Sequence, residues 1–163
     1  MSETMSGFDA IVPFVRAARN VLECITGVAP VADDPSERKS SFTTQQVTVI
    51  AGVSGDVAGN VMYSMSQSTA RNIASRMTGE EVQELDEMAL SAVSELGNMI
   101  TGGATAFVSE HGLNVDATPP SVIKGANIEI VTKSGARVVP IDTPAGYLEM
   151  TVAIGENPLR KAA

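Results

Sequence analysis

The segment from Leu85 to His111 constrains the fold most, because it carries the longest uninterrupted helical pattern in the chain. Its apolar residues recur at every third or fourth position, which predicts an amphipathic helix with one face against a core. We assign to that face Leu85, Met88, Ala89, Ala92, Val93, Leu96, Met99, Ile100 and Phe107.

The other face of this helix carries an unusual polar stripe. Ser91, Glu95, Asn98 and Gly102 are spaced four, three and four apart, which places them in a stripe about 60° wide. The segment contains no Lys or Arg, and Gly102 and Gly103 each cost about 1 kcal/mol against Ala in a helix interior. Close approach of a partner surface would explain both glycines. We interpret the stripe as a docking face with one carboxylate and one carboxamide, although spacing alone leaves an ordinary solvated face open.

The rest of the chain predicts two more helices and several strands. A first helix is expected from Phe8 to about Gly27, with Asp9 at its start, and a second from Thr69 to Met77. A polar surface loop is expected at 32–40. The expected strands are Ser41–Ala51 and Asn60–Ser66, joined by the glycine-rich connection Gly52–Gly59, then Val115–Thr118, Ser121–Ile123, Ile128–Lys133, Ala136–Ile141 and Tyr147–Ile154.

This order of elements predicts an α+β fold, in which the motif-bearing helix and the N-terminal helix pack on an antiparallel sheet. The length fits one domain over residues 1–163, with frayed ends at about 1–6 and 156–163. Pro119 and Pro120 must lie at an edge or a bend, since proline cannot donate to a strand ladder.

Composition excludes several classes of partner. The net charge is −8, so binding to nucleic acid or to an anionic membrane surface is not expected. A single cysteine, Cys24, fits a reducing compartment, and the N-terminus does not resemble a signal peptide, so we expect a cytoplasmic protein. The acidic residues from Glu80 onward have no His or Cys nearby, so neither a metal site nor a cofactor of its own is expected.

The motif SELGNMITGGA, preceded by LDEMALSAV and followed by VDATPPSVIKG, resembles the CheC/CheX family of chemotaxis phosphatases, and is most like CheX. The family pattern is Asp or Ser, three residues, Glu, two residues, Asn, and a later Pro. Ser91, Glu95 and Asn98 match it, and Pro119-Pro120 supplies the proline slightly early. The resemblance covers about 8–154.

The resemblance implies an enzyme that hydrolyses the aspartyl phosphate of a CheY-like response regulator. It implies that Asn98 positions the attacking water and that Glu95 docks onto the receiver's Lys, with Ser91, Gly102 and Pro120 as partner contacts. It also implies a homodimer and Mg²⁺ held by the partner receiver. An edge strand in the Ile128–Ile154 region would be the natural place for subunits to join. The alternative is a non-catalytic module of the same fold that binds response regulators or serves as a scaffold.

Overall fold

The computed structural model describes residues 9–38, 41–132 and 135–161. Its α+β architecture confirms the predicted fold class. The helices are α1 (Ile11–Thr26), α2 (Gln67–Thr78), α3 (Glu87–Glu110) and the short α4 (Pro158–Lys161). The strands are β1 (Val31–Ala32), β2 (Ser36–Arg38), β3 (Ser41–Thr43), β4 (Val47–Gly55), β5 (Val57–Met65), β6 (Val115–Ala117), β7 (Ser121–Lys124), β8 (Glu129–Val131), β9 (Ala136–Thr143) and β10 (Gly146–Glu156).

Within the described residues, the main sheet is antiparallel and has eight strands. Six of them run in the order β1–β9–β10–β5–β4–β6, while β2 pairs with β9 and β7 pairs with β4. The register sets Val49, Tyr63 and Met150 side by side at the centre of the sheet, and all three are fully buried. Since alternate residues of a strand point to one face, this row and its neighbours form the face that α1, α2 and α3 cover.

The opposite face of the sheet is partly covered by the two-stranded sheet of β3 and β8. Beneath it, Met62 is buried with Ala136 and Ala153, forming a second, smaller apolar cluster. Thr48 and Ser64 are also buried on this face, and their hydroxyl oxygens lie 3.1 Å apart in a hydrogen bond. Burial of both faces explains why Val61–Met65, the second half of β5, is buried at five consecutive positions and contains a single polar residue, Ser64.

Local capping ends the first two helices where the sequence predicted, while α2 begins two residues before the predicted Thr69. Gly27 and Gly79 adopt left-handed conformations with φ of 76° and 77°, and end α1 and α2. Asp9 accepts a hydrogen bond from the backbone N–H of Ile11 at 3.0 Å, which satisfies a donor in the first turn of α1. Ser66 caps α2 through the N–H of Thr69.

The prediction of a surface loop at 32–40 was wrong for Ala32 and for Ser36–Arg38, whereas residues 33–35 form a link without regular structure. β1 ends at Ala32 and β2 lies inside the predicted loop; both pair with β9, with Ala32 opposite Ile141 and Ser36 opposite Val138. A polar, charged segment is compatible with an edge strand, because only one side of such a strand is hydrogen-bonded. Residues 39 and 40 lie outside the described residues.

The predicted hairpin is present, but its first strand is shorter than expected, its second strand is longer, and its connection is shorter. The first segment divides into β3 and β4, and Asp56 alone separates β4 from β5. The glycines in this region allow close backbone contact rather than a long turn. Gly55, with φ of 137°, lies against the carbonyl of Asn114, and Gly59, with φ of 152°, lies against that of Ala153. A Cβ at either position would overlap the facing backbone.

The predicted edge strand for subunit contact is restricted by the topology. β9 and β10 have strand neighbours on both sides and are therefore not edges. In the part of the chain that the structure describes, β8 is the strand of that region with a single neighbour, β3. Its Val131 is 72% exposed.

Some expectations concern residues outside the described ranges. These are the start of the first helix at Phe8, the end of a strand at Lys133, and fraying at 1–6 and 162–163. Within the tail, residues up to Glu156 belong to β10, and α4 follows after Asn157.

Candidate active site

The motif-bearing helix α3 begins at a well-formed cap. Asp86 accepts a hydrogen bond from the backbone N–H of Ala89 at 2.9 Å, and Glu87 adds a negative charge in the first turn, where the helix dipole favours it. At the far end, Gly112 has φ of 90° and the N–H of His111 bonds the carbonyl of Val108. The predicted bounds of 85–111 therefore agree closely with Glu87–Glu110.

α3 lies directly on the sheet at Gly97, between the two principal motif residues. A Cβ at Gly97 would be 2.6 Å from Cγ1 of Val49 and 3.3 Å from Cδ2 of Tyr63. One turn later, the buried Thr101 shares a hydrogen bond of 2.7 Å with the Tyr63 hydroxyl. Burial raises the pKa of Tyr63 above its usual value, and the bond from Thr101 partly offsets that effect.

The polar stripe lies on the opposite, solvent-facing side of α3. Ser91, Glu95, Asn98 and Gly102 are all exposed, so the structure brings these four predicted residues together on one surface. In the described ranges, the side chains of Ser91, Glu95 and Asn98 make no hydrogen bond or ion pair. They are free to contact a second molecule.

Gly102 and Gly103 have different surroundings, so the prediction that close approach of a partner surface explains both of them is wrong for Gly103. Gly102 has open space around it, with nothing within 4 Å of an added Cβ, as a docking face requires. Gly103 instead faces α1, where an added Cβ would be 3.3 Å from the Cβ of Ala17. Its small size therefore suits helix packing inside the molecule.

Two residues that we assigned to the core face lie outside it. Met88 is 64% exposed and Met99 is 37% exposed. The buried side of α3 is centred on smaller residues, including Gly97, Thr101 and Ala104, so the apolar pattern overestimates its width. Met88 and Met99 instead flank the polar stripe and add apolar surface to it.

Pro119 and Pro120 lie in the short link between β6 and β7, both of which pair with β4. This location confirms that the prolines occur at a bend on the sheet edge. Thr118 fixes the link, because its Oγ1 accepts a hydrogen bond of 2.9 Å from the N–H of Gly52. α3 contacts both β6 and β7, so the two strands that flank the link lie beside α3.

Sequence reasoning missed Gly97, Tyr63 and Thr101 as determinants of the site. Glycine and threonine do not count in an apolar periodicity, and Tyr63 lies in a strand far from the motif in sequence. The available signal was Gly97 itself, since a glycine in a helix interior between two motif residues usually indicates close packing or a functional role.

The described residues contain no group of three or more His, Cys, Asp or Glu placed to hold a metal ion. None of the helices found there is both long and apolar enough to cross a membrane.

Two solved CheX structures share this fold. A chemotaxis protein CheX from Desulfovibrio desulfuricans matches with a TM-score of 0.80 and 28% identity, over 92% of this chain and 100% of that one. CheX in a complex with CheY, BeF3 and Mg²⁺ from Borrelia burgdorferi matches with a TM-score of 0.76 and 31% identity, over 91% and 99%. The fold, an antiparallel sheet beneath a long helix, thus places the chain in the class of chemotaxis proteins of the CheX type.

Sequence comparison identifies the family. The model of the chemotaxis phosphatase CheX matches residues 47–143, more than half of the chain. A CheY-P phosphatase CheX from Thermotoga maritima is 39% identical over 108 residues, which are 65% of this chain and 69% of that relative. The chain therefore belongs to the CheX family of chemotaxis phosphatases. It is a protein phosphatase, which confirms the prediction from the sequence.

Proposed function

We propose that this chain hydrolyses the aspartyl phosphate of a CheY-like response regulator. The observation that carries the proposal is the exposed pair Glu95 and Asn98, whose side chains have no partner in the described part of the chain. Two relatives support the choice of substrate: one is named a CheY-P phosphatase, and another was solved with CheY and BeF3, a group that stands in for the phosphoryl group.

Asn98 is proposed to hold the attacking water in line with phosphorus. Phosphoryl transfer depends mostly on positioning and charge stabilisation, so one well-placed group can supply much of the acceleration. The carboxamide can accept from and donate to a water without bringing a charge into an anionic site. The water oxygen bonds to phosphorus, the bond from phosphorus to the aspartyl oxygen breaks, the aspartate leaves as a carboxylate, and both water protons leave with inorganic phosphate.

Glu95 is proposed to dock onto the Lys of the receiver. A carboxylate aimed directly at the phosphoryl group would repel it, whereas one that pairs with a cation beside the group fixes the orientation of the complex. Ser91, Gly102 and Pro120 are proposed partner contacts. Gly102 supports this role most directly, because the open space around it admits the backbone of another protein.

We propose that Mg²⁺ is held by the partner receiver and that the chain uses no cofactor of its own. The Borrelia burgdorferi complex contains Mg²⁺. A carboxylate and a carboxamide on adjacent turns of an exposed helix provide too few ligands for a dedicated magnesium site.

We further propose a cytoplasmic homodimer. The single cysteine, Cys24, is exposed and suits a reducing compartment. The edge strand β8, with the exposed Val131, supports subunit contact through that strand. Light scattering after size-exclusion chromatography measures the mass, and a monomer at micromolar concentration would contradict the dimer.

The experiment is phosphate release from a phosphorylated CheY-like receiver, with wild type beside Asn98→Ala and Glu95→Ala. Loss of one well-placed polar group costs about 3–4 kcal/mol, so Asn98→Ala should lower the rate about 10²- to 10³-fold while still binding. Glu95→Ala should weaken affinity for the receiver by about tenfold or more, because it removes a docking charge.

α1 offers matched controls for these variants. Asn20 and Glu23 are also exposed and also three residues apart on a helix, so Asn20→Ala and Glu23→Ala should leave rate and affinity unchanged. If wild type binds receivers but does not accelerate release, the alternative of a non-catalytic binding or scaffold module is correct. If Asn98→Ala retains the wild-type rate, the assigned role of Asn98 is wrong.

A further inference from the structure

The hydrogen bond between Tyr63 and Thr101 has no part in the chemistry described above. Among the described residues, it is the only side-chain hydrogen bond that joins α3 to the sheet. The two oxygens are 2.7 Å apart, and both side chains are buried, with exposures of 0% and 1%. Phe and Val would fill nearly the same space, and exchanging both partners of a buried hydrogen bond for apolar groups is often close to neutral for stability.

What this hydrogen bond adds to apolar packing is a restraint on the orientation of α3 relative to the sheet. Apolar contacts have little dependence on angle and permit a helix to slide or turn slightly against a sheet. A hydrogen bond has a preferred length and angle, so it fixes α3 both along and around its axis. Tyr63 is a suitable anchor, because it lies on the central strand β5 between Val49 and Met150.

Thr101 is close enough to the proposed catalytic residue to control its orientation. Asn98 precedes it by three residues, which is about 4.5 Å along the helix and about 60° around it. The carboxamide extends about 6 Å from the helix axis, so a rotation of about 10° would move it by about 1 Å. A misplacement of about 1 Å can reduce a catalysed rate about 10²-fold.

Asn98 has no other support that would resist such a rotation. Its side chain is exposed and has no hydrogen-bond partner in the described ranges, so the position of α3 determines where the carboxamide lies. Glu95 differs, because the attraction between opposite charges tolerates a shift of this size. A small rotation of α3 should therefore affect catalysis more than docking.

We propose that Tyr63 is a positioning residue: its hydroxyl, through Thr101, sets the rotation of α3 that aims Asn98 at the attacking water. This inference rests on the proposed phosphatase activity toward a CheY-like receiver. It adds a buried strand residue to the site, and it explains why the core keeps two hydroxyl groups where α3 meets the sheet.

The test compares Tyr63→Phe, Thr101→Val and the double variant with wild type. Three quantities are measured: affinity for the receiver loaded with Mg²⁺ and BeF3, the rate of phosphate release at saturating enzyme, and the midpoint of unfolding in urea. All three variants should release phosphate about 10- to 100-fold more slowly and bind within about threefold of wild type. Thr101→Ser retains the hydroxyl and should restore most of the rate.

A control separates positioning from general loss of stability. Ile141→Val removes one buried methylene from the same sheet face, on β9. It should lower the unfolding midpoint and leave the rate unchanged. The inference is overturned if Tyr63→Phe releases phosphate at the wild-type rate, or if Ile141→Val is slowed as much as the hydroxyl variants. If wild type itself does not accelerate release, the proposed function fails and this inference with it.

Discussion

Gly97→Ala is the sharpest test of how α3 is seated on the sheet. The added methyl would lie 2.6 Å from Cγ1 of Val49, whereas carbon atoms in contact are normally about 3.5–4.0 Å apart. Val49 is fully buried and β-branched, so it has little freedom to turn away. The helix and the sheet must therefore separate by about 1 Å at this point.

The magnitude follows from two opposing effects. Overpacking of this kind costs about 1–3 kcal/mol, and three atoms crowd the new methyl, so we expect the upper part of that range. Replacing Gly by Ala inside a helix gains about 1 kcal/mol. The net loss of unfolding free energy for Gly97→Ala should be about 1–2 kcal/mol. Phosphate release should fall about 10²-fold, because Asn98 moves with the helix.

Urea unfolding of Gly97→Ala and Gly102→Ala, measured side by side, isolates the cost of overpacking, because the gain in helix propensity is common to both variants and cancels. Both variants make the same exchange in α3, but an added Cβ at Gly102 meets nothing within 4 Å. Gly102→Ala should be more stable than wild type by about 1 kcal/mol. The difference between the two variants, about 2–3 kcal/mol, then reports the contact with the sheet alone.

The double variant Val49→Ala with Gly97→Ala removes the blocking methyl. Its stability should exceed the sum of the single effects by about 1–2 kcal/mol, as for residues in direct contact. The reasoning is refuted if the two glycine variants change stability by the same amount and sign, or if Val49 and Gly97 show no coupling.

Three further predictions concern the docking face and the buried tyrosine. Gly102→Ala should weaken binding of the receiver with BeF3 in spite of its higher stability, and unchanged affinity in a titration would remove Gly102 from the interface. Met88→Gln and Met99→Gln should each weaken binding of the receiver by up to about tenfold and leave the rate of phosphate release unchanged, since a partner that covers the stripe also buries these side chains. Isothermal titration calorimetry measures the affinity, and wild-type affinity in both variants would contradict the prediction. Burial raises the pKa of Tyr63, so its neutral form stabilises the fold fully below about pH 10. At higher pH the tyrosine ionises in the unfolded chain first, and this stabilisation is lost. Wild type should therefore lose unfolding free energy faster than Tyr63→Phe between about pH 9 and pH 11, and parallel curves of unfolding free energy against pH would contradict this.

The sequence predicted the exposed polar stripe of α3 better than it predicted the packing beneath the helix. Glu95 and Asn98 could be placed on one exposed stripe because helical spacing depends only on backbone geometry. Gly27 and Gly79 could be recognised as helix ends because only glycine adopts a left-handed conformation without strain. These inferences used local rules, and the fold did not alter them.

The errors occurred where the answer depends on a distant part of the chain. Met88 and Met99 are apolar and fit the helical period, but α1 and the sheet leave them uncovered. The polar segment that contains β1 and β2 is extended because β9 offers it an edge, and β9 is about 100 residues later in the sequence. No local pattern contains that information.

The arrangement of α3 suggests how one helix serves both packing and recognition. Its sheet-facing side carries Gly97 and Thr101, which set distance and rotation, while the solvent-facing side carries Glu95 and Asn98, whose side chains have no hydrogen-bond partner among the described residues. A side chain without internal contacts can be aimed only by its backbone, so accuracy at Asn98 has to be built into the buried face. Substitutions on that face should therefore change the rate of phosphate release more than substitutions beside the pair on the surface, which should act mainly on affinity.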